Sequence, residues 1–340
     1  MATNYTYPAN AALEIVQRDL LPRITADRPI FKILPIKNSN NHLLIWTQAD
    51  NIIGVQQARG MDGQPPRVKK TGAKQYIFEP GIYGEYLDID EQELTAKGSY
   101  TVPGAVYDLT DEVAERQLQL KQREMDRIEQ LGWLMLTTGT FSVAGPTGAI
   151  VHQDTFSLQT FTSAATYATY ATATPLSDFR YIKTLHRGKS VSFGSTSKAY
   201  ANQTTINNIL LNANPNDVFG RRVSGLMTIN NINDLNTKLF LGDDLPQLVP
   251  YDEGYIDDNG TFQLYIPTGK IVVVGKRPGN EPIGEYRMTR NANNADMAPG
   301  PYVKVVDNGE REVPRNIQVH AGHNGGPVLK YFGSVVVINC

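Results

Sequence analysis

A chain of 340 residues and 37.6 kDa buries about 70–75% of the surface that its unfolded form exposes, so a core can form without a metal or disulfide staple. With 41% hydrophobic and 19% charged residues, 29 Gly and 20 Pro, the composition is that of a turn-rich globular protein and excludes a disordered regulator. Lys and Arg number 32 against 34 Asp and Glu; a net charge of −2 lacks the bulk attraction that drives a dedicated nucleic-acid binder.

The longest aliphatic runs, at 271–274 and 335–338, fall far below the roughly 20 apolar residues that cross a bilayer, so no membrane helix is expected. Residues 1–5 show neither a basic start nor an apolar core, so no secretory signal is expected. Cys340 is the only cysteine, which leaves no internal disulfide and no Cys-rich zinc site. Together these features predict a cytosolic setting.

Residues 11–21 place Ala12, Ile15, Val16 and Leu20 at near-helical spacing and stop at Pro22, predicting a short amphipathic helix within an extended arm. Leu43, Leu44, Ile45 and Trp46 read as one strand, and Tyr76, Ile77 and Phe78 as another that ends at Pro80. Of the 22 residues at 54–75, only Val55, Ala58, Met61, Val68 and Ala73 are apolar, while Arg59, Arg67, Lys69, Lys70 and Lys74 face the single acid Asp62. Asp62-Gly63 is a tight-turn dipeptide, so the segment reads as a long hairpin with a basic tip. Such a ribbon is marginal in water. Ordering each residue costs about 1–2 kcal/mol, more than five small apolar side chains return at roughly 25 cal/mol per Å². Either the segment stays disordered or another molecule orders it.

Thr110 reads as an N-cap followed by Asp111 and Glu112, the charges that a helix dipole favours in its first turn. Ala114, Leu118, Met125, Ile128, Leu131 and Met135 form one apolar stripe, and Glu112/Arg116 and Glu124/Arg127 are spaced to pair on the surface. With Gly139 as the stop, the helix is a rod of about 40 Å, far longer than the usual three or four turns. Residues 155–177 hold no charge and read as an insertion or irregular loop. Helical patterns resume at 178–186 and 204–211. Beyond them the chain turns β-rich, with hairpin signals at Asp258-Asn259-Gly260 and Asp307-Asn308-Gly309 and buried-strand runs at 271–274 and 335–338.

His320 and His323 have the spacing of two metal ligands on a helix, but Gly322 and Asn324-Gly325-Gly326-Pro327 read as a loop with no nearby carboxylate. Gly188-Lys189-Ser190 imitates the end of a phosphate-binding loop, yet Lys183 stands where its first glycine belongs and no buried strand precedes it. Asp252, Glu253, Asp257 and Asp258 lack the alternation of a calcium loop and read as a solvated hairpin rim. No catalytic residue, cofactor or metal is predicted, and the chain reads as a non-enzyme. A β-rich hydrolase whose scattered acids meet only in three dimensions is the reading from another class.

The order of arm, basic hairpin, long helix and β-rich half resembles the lambda-like major capsid protein E family of tailed bacteriophages, with the Hong Kong 97 type fold. Three blocks carry the resemblance: Arg59-Gly60-Met61-Asp62-Gly63-Gln64-Pro65 with Tyr76-Ile77-Phe78-Glu79-Pro80 and Ile89-Asp90-Glu91-Gln92-Glu93-Leu94; Tyr251 through Tyr255-Ile256-Asp257-Asp258-Asn259-Gly260 to Ile266-Pro267-Thr268-Gly269-Lys270-Ile271-Val272; and Pro327-Val328-Leu329-Lys330 leading into Val335-Val336-Val337-Ile338. The resemblance implies an α+β fold with an N-terminal arm (1–40), an extended E-loop hairpin (41–80) and a peripheral domain (81–190) whose spine helix lies near 110–138. It further implies an axial domain (191–297), return strands of the peripheral domain (298–324) and a final axial strand (325–340). In function it implies a virion subunit, assembled in the host cytoplasm through hexamers and pentamers into a shell around double-stranded DNA, with scaffold, portal and decoration proteins as partners. Arg59, Met61, Asp62, Arg67, Lys69, Lys70 and Lys74 are then the E-loop residues that meet a neighbouring subunit. A cellular nanocompartment shell of the same fold is the alternative within that class.

Overall fold

The computed structural model describes residues 5–6, 25–49, 55–56, 58–59, 61, 63–64, 73–98, 107–144, 149–155, 158–169, 172–185, 187, 191–213, 231–237, 242–257, 260–308 and 316–340. In chain order the elements are β1 (Tyr5–Thr6), α1 (Ile30–Ile33), β2 (Ile36–Asn38), β3 (Leu44–Ala49), β4 (Ala73–Phe78), β5 (Gly81–Ile89), α2 (Glu91–Gly98), β6 (Tyr107–Asp108) and α3 (Thr110–Thr138). There follow β7 (Thr140–Ala144), β8 (Ile150–Thr155), β9 (Gln159–Thr162), α4 (Pro175–Leu185), β10 (Lys198–Ala201), α5 (Gln203–Ala213), α6 (Ile232–Leu235) and β11 (Gln247–Pro250). The last are β12 (Gly254–Ile256), β13 (Phe262–Leu264), β14 (Lys270–Val274), β15 (Gly284–Met288), β16 (Tyr302–Asp307), β17 (Ile317–Leu329) and β18 (Val335–Asn339). The helix expected at 11–21 lies outside the described residues.

The chain divides into two units. The first takes Met1–Leu44, Phe78–Leu131 and Glu285–Val328. Its sheet has the order β16-β17-β15-β2, with β5 also paired to β17. The 13-residue β17 is the axis: it runs antiparallel to β16 (Val305 opposite Val319) and to β5 (Leu87 opposite Val319). His320 and His323 therefore sit in a strand, where a loop was expected. Strands tolerate Gly322 and Gly325 here because neighbouring backbone comes too close for any side chain: a Cβ at Gly322 would lie 2.2 Å from the Tyr83 carbonyl oxygen, and one at Gly325 2.4 Å from that of Arg287. Ile89, Leu94, Leu109, Val113, Leu120, Ile317 and Val319 close the core.

Helix α3 begins one residue earlier than its expected cap implies: the Leu109 carbonyl already accepts from Val113 N–H at 3.0 Å, so Leu109 takes the cap position and Thr110 is the first helical residue. It ends where expected: Gly139 takes φ +70° and its N–H donates to the Met135 carbonyl at 2.9 Å. Its buried face is wider than the apolar stripe. Met125, Ile128, Leu131 and Met135 are buried, but so are Gln117, Lys121, Glu124 and Glu129.

The second unit takes Ile45–Ile77, Gly132–Gly284 and Leu329–Cys340. Its main sheet has the order β11-β10-β14-β18-β9. The valine-rich β14 and β18 pair antiparallel at its centre, Ile271 opposite Ile338 and Val273 opposite Val336, and both are buried along nearly their whole length, as continuous apolar runs require. Ile271, Val273, Val336 and Ile338 pack against Leu176, Phe179 and Ile182 of α4 and Ile206 and Ile209 of α5. Tyr200 and Val272 are opposite each other, as are Val272 and Val337, so these three share a sheet face. Trp133 of α3 stands edge-on to Tyr200, ring centres 5.4 Å apart.

The segment expected as an irregular loop at 155–177 corrects in part to regular structure. β9 forms an edge of the main sheet, parallel to β18 with Thr160 opposite Val337, and its β-branched threonines suit a half-buried edge strand. The hairpin expected around 258–260 forms as β12 and β13, with Ile256 opposite Phe262. β16 and β17 pair as the signal at 307–309 implies, although 309–315 lie outside the described residues.

Candidate assembly interface

Among the described residues β3 and β4 pair only with each other, as the ribbon expected from the sequence. At its base Trp46 is buried and stacks on Tyr76, ring centres 5.3 Å apart, and Tyr76 in turn meets Phe332 edge-on at 5.3 Å. Offset and edge-on aromatic pairs of this kind add about 0.5–1.5 kcal/mol beyond the area they bury, so the base of the ribbon is anchored. Beyond it nothing of the chain covers the described side chains. Val55 and Met61 are fully exposed, Arg59 is exposed and donates to the Gly63 carbonyl at 3.5 Å, and Lys74 is exposed on β4. Asp62, Arg67, Lys69 and Lys70 lie outside the described residues. The ribbon therefore presents apolar and cationic groups to whatever lies beyond this chain.

Other exposed apolar side chains had no signal in the sequence reading. Ile82 and Tyr86 stand out from β5, and Ile256 and Phe262 form an exposed cross-strand pair on the β12–β13 hairpin. Period-2 alternation identifies them once the strands are known, because successive side chains face opposite sides.

The acids read as a hairpin rim have turn and cap duties. Asp252 Oδ1 accepts from Gln203 N–H at 2.7 Å at the start of α5, and Asp257 accepts from Thr261 N–H at 2.8 Å and Gln263 Nε2 at 3.1 Å. Asp258 and Gly188-Lys189-Ser190 lie outside the described residues. Among the described residues no three His, Cys, Asp or Glu side chains are grouped to hold a metal, and no helix is long and apolar enough to cross a membrane.

The expected surface pairing of Glu124 with Arg127 is overturned. Glu124 is buried, with Oε2 2.5 Å from Lys121 Nζ and Oε1 3.4 Å from Nδ1 of the fully buried His323. Arg127 instead donates to Gln130 Oε1 at 2.7 Å and lies over the Tyr83 ring, and Arg116 donates to Glu93 of α2 at 2.9 Å. Burial opposes ionisation of Glu124, yet His323 and the Lys121 ammonium outweigh it and hold the carboxyl below its usual range. In the second unit, burial raises the Asp178 carboxyl above its usual range, only partly offset by the Tyr167 hydroxyl that donates to it at 3.0 Å.

No protein-family model matches the chain, and no curated protein matches it. Solved structures do. The putative capsid protein of a prophage of E. coli CFT073 aligns with 97% of this chain and 98% of its own, at 11% identity and a TM-score of 0.57. A phage-related protein from Bordetella bronchiseptica RB50 aligns over 92% of each chain, at 9% identity and a TM-score of 0.52. At such identities the likeness is one of backbone path, and it runs nearly end to end. The chain is an α+β protein with the Hong Kong 97 type capsid fold.

Proposed function

We propose that this chain is the major capsid protein of a tailed double-stranded DNA bacteriophage, a structural and non-catalytic subunit that assembles through hexamers and pentamers into an icosahedral head. The observation that carries the reading is the end-to-end likeness to a putative prophage capsid protein, covering 97% of one chain and 98% of the other. The ribbon supplies the physical mechanism. Residues 41–80 are the loop that reaches over an adjacent subunit, where Met61 gains apolar cover and Arg59, Arg67, Lys69, Lys70 and Lys74 meet acidic surface, with Asp62 at the turn. Each such contact is modest, but a closed shell makes every subunit both donor and receiver, and linked contacts bind far more tightly than single ones.

In this reading the arm (1–40), the peripheral domain (81–190 with return strands 298–324) and the axial domain (191–297 with 325–340) are the parts that neighbours share. The shell encloses DNA without reading its sequence, consistent with a net charge of −2. Scaffold, portal and decoration proteins are its partners, the host cytoplasm its place of assembly and the virion its destination. Removing residues 54–75 tests the mechanism. Light scattering should find the intact chain in large particles and the shortened chain soluble but unable to close them; normal particles from the shortened chain contradict the assigned contact.

A further inference from the structure

Helix α3 sends three polar side chains into the interior of the first unit. Gln117, Lys121 and Glu124 follow one another at helical spacing on one face, and all three are buried. Lys121 Nζ lies 2.5 Å from one oxygen of Glu124, and the other is 3.4 Å from Nδ1 of His323 on β17. On the far edge of the imidazole, Nε2 is 2.8 Å from the hydroxyl of Tyr286 on β15. The Tyr83 ring of β5 lies 5.3 Å from the same imidazole, and Arg127 of α3 sits 5.9 Å over that ring. Tyr302 of β16 is close enough to sense the Glu124 charge. One helix and four strands therefore converge on one carboxylate and one imidazole.

The Tyr286 hydroxyl meets Nε2, Lys121 donates to one carboxylate oxygen, and the other oxygen faces Nδ1 at 3.4 Å without a hydrogen bond between them. The cluster then holds one cation and one anion, with no net charge, away from water.

We propose that the Lys121–Glu124–His323–Tyr286 chain is a proton-operated latch, which holds α3 to β17 while it carries no net charge and releases them when one proton enters. A proton on Glu124 leaves the buried Lys121 ammonium without its counter-ion. A net positive charge then appears where water is excluded, a state that buried ion pairs tolerate poorly. Among the described residues, no group named around the cluster neutralises it. Arg127 is a further cation, and the phenols stay protonated: burial pushes Tyr83 up to about 12 against a partial offset from Arg127, and raises Tyr286 and Tyr302 as well. Because Glu124 ionises more readily in the folded chain than when unfolded, its contribution is present above the unfolded value and lost as pH falls through the folded one.

The second unit supplies an internal control of opposite sign. Its buried carboxyl, Asp178, faces the Tyr167 hydroxyl, and proton uptake there removes a buried charge instead of creating one. Acid therefore loosens the buried interior of the first unit and does not do so around Asp178 in the second; Asp244 of the second unit, held down to about 2 by Lys183 and Ser195, is largely exposed and weighs little on β14 and β18. Hydrogen exchange on the full chain from pH 7 down to about pH 2, through and below the ordinary carboxylate range, corrected for intrinsic exchange chemistry, tests this independently of any shell. The opening constant of amides around 117–124 and 317–325 should rise about tenfold per pH unit once the transition begins, the slope of one proton, while β14 and β18 hold steady. The apolar pair Lys121→Met with Glu124→Leu should abolish that slope. Protection in the first unit that is indifferent to pH, or an equal slope in both units, overturns the latch, and the parent chain decides this alone should the double variant fail to fold.

Discussion

Replacing Gly322 by alanine probes the most crowded point of the first unit's sheet. The added Cβ would meet the Tyr83 carbonyl oxygen at 2.2 Å, Gly84 Cα at 2.7 Å and Tyr302 Cε1 at 2.9 Å. Two of these three obstacles are backbone of β5 and have no rotamer through which to withdraw. Relief requires β5 to part from β17 within a ladder that runs from Ile317 opposite Ile89 to Gly325 opposite Gly81. Overpacking a well-filled interior costs about 1–3 kcal/mol, and obstruction by backbone places this substitution near the upper end, about 3 kcal/mol. Gly333→Ala is the control: only Gln159 Nε2, at 4.0 Å, would be approached, and the change should stay within about 0.5 kcal/mol. Both tryptophans, Trp46 and Trp133, belong to the second unit, so their fluorescence is blind to this perturbation. Hydrogen exchange at β5 and β17 amides reads it directly. Protection there unchanged by Gly322→Ala would refute the claim that close backbone approach dictates glycine in this strand.

Trp46→Ala should remove the anchor of the ribbon, costing about 3 kcal/mol at the low end for a buried tryptophan because its partner Tyr76 is only half-buried; amide protection should fall in β3 and β4 and persist in β14 and β18, and intact ribbon protection would contradict it. Burial, and then the nearby Asp178 charge, push the Cys340 thiol up to about 12. At pH 8 it should react with a disulfide reagent about 10³-fold more slowly than in the denatured chain, and equal rates would show that the thiol is not held in this environment. Asp178→Asn keeps an acceptor for Tyr167 and removes a buried charge. With the folded carboxyl raised above its unfolded value, the penalty is absent in acid and complete at neutral pH, so the variant should melt higher than the parent near pH 7 and equally below about pH 3; a lower melting temperature at pH 7 would reverse that assignment.

Local signals were legible wherever a residue's conformational demand decided the structure alone. Gly139 stops α3 with a positive φ, Asp257 to Thr261 turn the β12–β13 hairpin, and the valine runs of β14 and β18 lie at the centre of a sheet. The ribbon was legible for the opposite reason, since 54–75 lack the apolar groups to bury themselves. What stayed hidden depends on partners far away in sequence. Glu124 has the same spacing to Arg127 that a solvated pair would have, and only His323, about two hundred residues on, reveals that it faces inward. His320 to Gly326 reads as a loop because glycine usually marks one; here it marks the approach of β5 and β15 to β17. The uncharged stretch at 155–177 hid an edge strand, since threonine and alanine carry no clear period. Of the expected contact residues, Arg59, Met61 and Lys74 are exposed.

Negative-stain microscopy of the purified full chain puts the central idea to its most direct test. Closed shells with five-fold and six-fold clusters of subunits, emptied of particles by loss of residues 54–75, are the expected result. A stable 37.6 kDa monomer at every concentration, its ribbon amides already protected, would contradict it.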